Sequence, residues 1–192
     1  MAGIIRRTGK ISLKRETDLY LALLRAIVGQ QLSVKAAATN WKRFLDLFNS
    51  GYPHPDLVLS MDVQVMRNAG LSFQKAGYLK NIAEFSQSSS LDYKNLKRME
   101  DEELIEYLCS IKGVGRWTAE MILMFTLRRP DVLPLDDLGI QISMRQQYKL
   151  RHKDKKRLYA AMTRLAERWR PYRTLACMYL WKSKDLASGI KS

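Results

Sequence analysis

Three stretches of this chain place residue types at spacings that can do chemistry. The first is Leu108-Cys109-Ser110-Ile111-Lys112-Gly113-Val114-Gly115-Arg116-Trp117-Thr118-Ala119. Two glycines around one apolar residue, between two helical patterns, make a tight turn. Gly113 and Gly115 permit unusual backbone angles and close approach of another backbone. Amides at the start of the following helix then point outward, an arrangement suited to a phosphate. A glycine pair alone is a weak signal, because any helical hairpin can turn on one. The second stretch is Val132-Leu133-Pro134-Leu135-Asp136-Asp137-Leu138-Gly139-Ile140. Its two aspartates stand at a helix start, where anions cap the helix and suit its dipole; either can also act as a fixed charge. The third runs from Ile27 to Ala37 through Gly29-Gln30-Gln31-Leu32-Ser33. It reads as a helix-to-helix turn with Ser33 as N-cap, presenting two amide side chains.

The longer pattern around the glycines has an apolar residue two before the first and Thr-Ala three and four after the second. It resembles the hairpin of base-excision DNA glycosylases. Leu-Pro-x-Asp-Asp-Leu-Gly is similar to the alkylation-repair branch of that superfamily. The block Arg168-Trp169-Arg170-Pro171-Tyr172-Arg173-Thr174-Leu175-Ala176, followed by Tyr179-Leu180-Trp181, matches the C-terminal helix of the 3-methyladenine DNA glycosylase II family. The likeness runs from about Leu19 to Trp181, with the motifs in order. The larger form of the family carries an additional N-terminal β-rich domain, so this chain looks like the compact form.

The resemblance implies a role for each residue. Asp137 becomes the catalytic carboxylate, with Asp136 a structural cap or supporting charge. Breaking an N-glycosidic bond puts positive charge on the sugar, which a fixed anion stabilises, and the same group can orient or deprotonate an attacking water. Amides around Gly113, Gly115, Trp117 and Thr118 would grip phosphate, a contact that positions DNA without reading it. Carbonyls of Cys109, Ile111 and Val114 are candidates for a monovalent cation, Na⁺ or K⁺; no other cofactor is implied. Lys112 stands where the family usually has Pro. Gln31 would be the wedge that fills the gap left by a flipped base, with Gln30 and Leu32 shaping its foot. Trp117, Tyr172 and Met121 would line the base pocket, since a cationic base stacks well on an electron-rich ring. Trp169, Tyr179 and Trp181 are expected to be packing. Bifunctional relatives carry a nucleophilic Lys two residues after the second glycine; here that position is Trp117, so no Schiff base is expected there.

The elements that must hold these groups are helical almost throughout. Leu19, Leu23, Ala26, Ile27 and Gln30 follow a 3.6-residue period, with Thr17 or Asp18 as cap. Ser33 opens a helix ending near Asn49-Ser50-Gly51. Tyr52 to Asp56 reads as a turn with Asp56 an N-cap, and a short helix around Met61 to Ala69 stops at Gly70. Ser72 caps a helix bearing Ala76, Leu79, Ile82, Ala83 and Phe85, and Gln87-Ser88-Ser89-Ser90 is a polar connector. The hairpin occupies about 104–126. Helices then start at Asp136-Asp137, Asp154 and Pro171. No convincing strand alternation and no repeat appear. The expectation is all-α: one domain over 1–192, two helical lobes flanking a DNA-binding cleft.

Bulk properties point the same way. Thirty-three Lys and Arg against nineteen acids give a net charge of +14, which favours a polyanionic partner. From Gln141 onward there are fourteen basic and three acidic residues, whereas Leu91 to Ile140 has seven and ten. No lipidation motif, signal region or long apolar span accompanies the charge, so no membrane role is expected. The protein reads as soluble: cytoplasmic and nucleoid-associated in a bacterium, nuclear in a eukaryote. No spare amphipathic face is evident, and a monomer is expected. Cys109 and Cys177 lie in apolar helical contexts and read as buried thiols. With His54 and His152 scattered, they make neither an iron–sulfur nor a zinc site. Two rival readings are a glycosylase for deaminated or oxidised bases and a non-catalytic DNA-binding hairpin module.

Overall fold

The computed structural model describes residues 1–11 and 16–187; among them are helices and turns and no strand. In chain order the helices are α1 (Ala2–Thr8), α2 (Leu19–Gly29), α3 (Val34–Leu45), α4 (Pro55–Ser60), α5 (Val63–Asn68), α6 (Phe73–Ser88), α7 (Tyr93–Leu96), α8 (Asp101–Cys109) and α9 (Arg116–Met121). A π-helical turn (Ile122–Thr126) follows α9; then come α10 (Leu138–Tyr148), α11 (Lys155–Ala166), a 3-10 turn (Glu167–Trp169) and α12 (Arg173–Ala187). Among the described residues no helix is long and apolar enough to cross a membrane.

Short polar side chains start these helices where the sequence places them. The Leu21, Ala36 and Lys75 amides donate to Asp18, Ser33 and Ser72 at 2.9, 3.3 and 3.2 Å, and the Arg157 amide donates to Asp154 at 2.8 Å. Each such cap is worth about 1 kcal/mol. Asp56 is not a cap. Pro55 takes the first helical position of α4, His54 precedes it, and Asp56 lies in the first turn; proline's fixed φ suits that place. The short helices α1 and α7 lie where the sequence pattern gives no helix start. The second helix of the hairpin, expected to reach about residue 126, widens at Ile122–Thr126, where the Leu127 amide reaches the Ile122 carbonyl at 3.0 Å.

Glu16–Leu127 forms one compact unit. Its core is Leu19, Leu23, Leu24 and Ile27 of α2, Phe44 of α3, Leu79 and Ile82 of α6, and Leu104 and Leu108 of α8. Each such side chain contributes about 1.5–3 kcal/mol on leaving water. Cys109 does not join them. It is exposed, because the buried line of α8 is Leu104, Ile105 and Leu108 and the next residue is turned away.

The described residues of Met1–Arg15 and Arg128–Ser192 form the second unit. Ile140, Met144, Leu158, Met162, Cys177 and Leu180 fill it, and Ile4 of α1 is buried as well. The Ser143 hydroxyl donates to the Leu180 carbonyl at 2.7 Å, binding α10 to α12. The start of α12 is stitched to residues 129–132. Thr174 Oγ1 donates to the Arg129 carbonyl (2.6 Å) and accepts from the Val132 amide (3.0 Å), while its own amide donates to the Pro130 carbonyl (3.0 Å). Asp131 receives Arg173 at 2.7 Å and Arg170 at 2.7 Å. The basic excess collects here. By sequence this unit has twenty-one Lys and Arg against six acids, net +15, whereas the other has twelve against thirteen.

Desolvation pulls the Asp131 carboxyl upward, but hydrogen bonds and charge from Arg173, helped by Arg170, outweigh it and hold it below its ordinary 3.8. A depressed carboxylate stabilises the fold above its unfolded value and loses that contribution as pH falls through the folded one. Asp131→Asn is therefore expected to lower stability by about 1–2 kcal/mol at neutral pH. The difference from wild type should shrink below pH 3.8, measured by thermal melts across a pH series.

Candidate active site and nucleic-acid interface

The hairpin is shaped by what it packs on. Gly113 has φ +106°, and a Cβ there would lie 2.2 Å from the Tyr78 ring of α6. Both the backbone angle and the close approach demand glycine. Asn81, also on α6, donates its side-chain amide to the Lys112 carbonyl at 3.0 Å. Gly115 differs from expectation: its φ of −100° is ordinary, and a Cβ there would meet nothing within 4 Å. It is the N-cap of α9 and brings no side-chain acceptor to the amides that follow. Arg116 closes the hairpin from outside, donating to both carboxylate oxygens of Glu102 (2.9 and 2.6 Å) and to Glu120 (3.2 Å). The Glu102 partnership raises the Arg116 pKa and lowers that of Glu102.

The turn after α2 is fastened to this hairpin within the same unit. Gln30 Nε2 donates to Thr118 Oγ1 at 3.2 Å, and Thr118 is buried. Lys75 Nζ donates to the carbonyls of Val28 and Gln30, both at 2.8 Å. Burial pushes this ammonium's pKa down. Directly after these anchors stands Gln31, exposed and with φ +57°, a left-handed conformation uncommon for residues other than glycine. A residue held this way is supported from below and offered outward. Leu32 beside it is also exposed.

In the other unit Asp137 is 9% exposed and caps α10. Its Oδ1 accepts the Ile140 amide at 2.7 Å and the Trp181 indole N–H at 2.8 Å. The cap reading and the fixed-anion reading thus describe one side chain. Trp181, expected to be packing, is a positioning residue for the carboxylate. Gly139 makes room for it: a Cβ there would lie 3.0 Å from Trp181 Cδ1 and 3.1 Å from Asp137 Oδ1. Asp136 points to different partners, Lys155 Nζ at 2.9 Å and the Tyr159 hydroxyl, both on α11. Next to the buried carboxylate, Leu138 is 68% exposed; Tyr172, at the head of α12, is 62% exposed.

Of the expected pocket residues, Trp117 and Met121 share one face of α9, four residues apart and half-buried. Tyr172 belongs to the other unit. Trp169 is half-buried against the Tyr148 ring at 5.9 Å and Tyr179 is half-buried, in keeping with packing. A groove of about 330 Å³ beside the hairpin, lined by Asn81, Glu84, Phe85 and Lys112 among others, contains none of the expected pocket residues. Lys75, Tyr78, Asn81 and Trp181 escaped sequence reasoning. Only Trp181 left a signal there: an indole N–H on a helix face needs an acceptor.

The residues 24–171 match the family model described as HhH-GPD superfamily base excision DNA repair protein. The chain belongs to this superfamily. It is 42% identical over 174 residues to DNA-3-methyladenine glycosylase 1 of Schizosaccharomyces pombe, covering 90% of this chain and 75% of that one. Among solved structures it is similar to the S. pombe 3-methyladenine DNA glycosylase Mag1 in complex with abasic DNA, with a TM-score of 0.86, 38% identity and coverage of 97% and 91%. A DNA-3-methyladenine glycosidase from Bacillus halodurans aligns with a TM-score of 0.79 and 34% identity over 98% and 85%.

Two substitutions test this geometry. Gly113→Ala forces a left-handed alanine into the Tyr78 ring and should cost about 2–4 kcal/mol, read as a drop in denaturant midpoint. Trp181→Phe removes a donor from a buried carboxylate, a loss of about 1–3 kcal/mol in stability. It should also slow turnover at least about tenfold while leaving affinity for undamaged duplex near wild type, checked by single-turnover kinetics beside binding.

Proposed function

We propose that this protein is a monofunctional DNA glycosylase that hydrolyses the N-glycosidic bond of alkylated purines, of the 3-methyladenine type, in duplex DNA. The observation that carries the reading is Asp137, a nearly buried carboxylate gripped on Oδ1 by the Ile140 amide and the Trp181 indole. A helix cap needs only the first of these donors. The second fixes the anion's direction, which is what stabilising a developing cation requires.

Duplex DNA docks on the hairpin, where amides following Gly115 face phosphate and Gly113 lets the turn sit tight on α6. Gln31 enters the stack and hydrogen-bonds the orphaned partner base. The extruded base stacks on an aromatic ring, for which Trp117, with Met121 on the same helix face, and Tyr172 are the candidates. An alkylated purine already carries positive charge and leaves with the bonding electron pair. Asp137 stabilises the sugar cation and takes a proton from the water whose oxygen bonds to the anomeric carbon. The products are the free base and an intact abasic site. No strand cleavage follows, because Trp117 supplies no amine for a Schiff base.

The carbonyls of Cys109, Ile111 and Val114 suit a monovalent cation. Cys109 ends α8, where carbonyls lack helical partners, and the Ile111 carbonyl accepts the Val114 amide at 2.9 Å with a second lone pair to spare. Such an ion would link the turn to a DNA phosphate. No other cofactor is required, and the protein works as a monomer on damaged DNA.

Base release from methylated duplex DNA tests the proposal. Wild type should free methylated purines and leave alkali-labile, unnicked strands, and Asp137→Asn should slow release by about 10²–10⁴-fold. Full activity in Asp137→Asn would sink the assignment. Release of deaminated or oxidised bases in place of methylated ones would move the lesion, and no release of any base would leave a DNA-binding module.

A further inference from the structure

The densest run of positive charge in the molecule lies outside both the hairpin and the carboxylate site. Lys149-Leu150-Arg151-His152-Lys153-Asp154-Lys155-Lys156-Arg157 carries six Lys or Arg and one Asp in nine residues. The segment spans the end of α10, the connection and the first turn of α11, and every residue but Leu150 is exposed.

The fold consumes little of this charge. Asp154, the segment's own acid, is occupied by the Arg157 amide. Lys155 pairs with Asp136. The side chains of Lys149, Arg151, Lys153, Lys156 and Arg157 make no ion pair among the described residues. Elsewhere in the same unit the arginines of the Arg170–Arg173 turn are both spent on Asp131. Five unpaired cations on one short stretch repel each other, and they do so in a unit already at +15. An ordinary solvated surface intersperses both signs. A run of one sign favours a polyanion.

The segment is also tied to the reacting end of its unit. Lys155 Nζ and the Tyr159 hydroxyl hold Asp136, and Gln141 Nε2 bridges the Leu135 carbonyl (2.8 Å) and the Tyr159 hydroxyl (3.3 Å). Residues 135 and 136 lead directly into Asp137. A duplex whose extruded nucleotide reaches Asp137 therefore brings its flanking backbone toward these cations.

We propose that residues 149–157 form a second phosphate-gripping surface, separate from the hairpin, that holds undamaged duplex DNA without reading its sequence and supports the search for damage. The inference rests on the reading that this protein acts on duplex DNA. Phosphate contacts of this kind release counterions, and each one lost flattens the dependence of log K on log salt by about 0.9.

The test uses the full chain carrying Arg151→Gln, Lys153→Gln and Lys156→Gln, all exposed positions, with melting curves to confirm the fold. Binding to a short undamaged duplex is measured across a salt series. The expected result is a slope shallower by roughly 2–3 and affinity weaker by at least about tenfold at moderate salt. Base release with the enzyme in saturating excess over methylated duplex should stay within about twofold of wild type, since positioning at the carboxylate is untouched. A charge-keeping variant, Arg151→Lys with Lys153→Arg and Lys156→Arg, should keep the wild-type slope. An unchanged slope in the glutamine variant overturns the proposal. If wild type releases no base of any kind, the glycosylase reading fails, yet the slope comparison on undamaged duplex still decides the role of this segment.

Discussion

The hydrogen bond from the Trp181 indole to Asp137 organises the second unit. A buried anion is costly unless it is paired or hydrogen-bonded, and here two donors converge on one oxygen, one from the start of α10 and one from α12. That requirement brings the two helices to glycine distance at Gly139. It also explains why the head of α12 is stitched so heavily to residues 129–132. Thr174 and Asp131 fix where α12 begins, and so where its Trp181 ends up.

The first unit solves a different problem, which is holding irregular backbone still. Its glycine hairpin and the turn after α2 both lie between helices, and neither has a sheet or a disulfide to brace it. The bracing comes from side chains of α6: Tyr78 under Gly113, Asn81 on the Lys112 carbonyl and Lys75 on two carbonyls past α2. One helix thereby sets the geometry of both turns, and the Gln30–Thr118 hydrogen bond couples them directly. Preorganised turns cost less to bind with, because their ordering is already complete before a ligand arrives.

Much of this was legible from local pattern. Asp18, Ser33, Ser72, Asp137 and Asp154 announce helix starts because a short polar side chain before an apolar period has a backbone amide to satisfy. The hairpin announces itself through its glycines and the residues around them. What stayed hidden depends on reach across the chain. Lys75 sits on an ordinary amphipathic helix, and nothing near it says that its ammonium caps a turn some forty-five residues earlier. Trp181 read as packing because aromatics at helical spacing usually are. Cys109 misled for a simpler reason: its neighbours are apolar, but its own direction on α8 is outward. The widened turn at Ile122–Thr126 is invisible to periodicity, which assumes a constant pitch.

Gly139 gives the site an unusual mutational profile. It lies in the first turn of a helix, where replacement of glycine by alanine ordinarily strengthens the helix. Here the added methyl would press on the indole that holds the carboxylate. Drift toward a better helix and retention of chemistry therefore pull in opposite directions at this one position. Helix propensity alone would favour the alanine by about 1 kcal/mol, but crowding the indole and the carboxylate takes back the stability of their hydrogen bond along with the direction of the anion. A lineage that must keep mending its DNA thus carries a glycine that helix propensity alone would not choose.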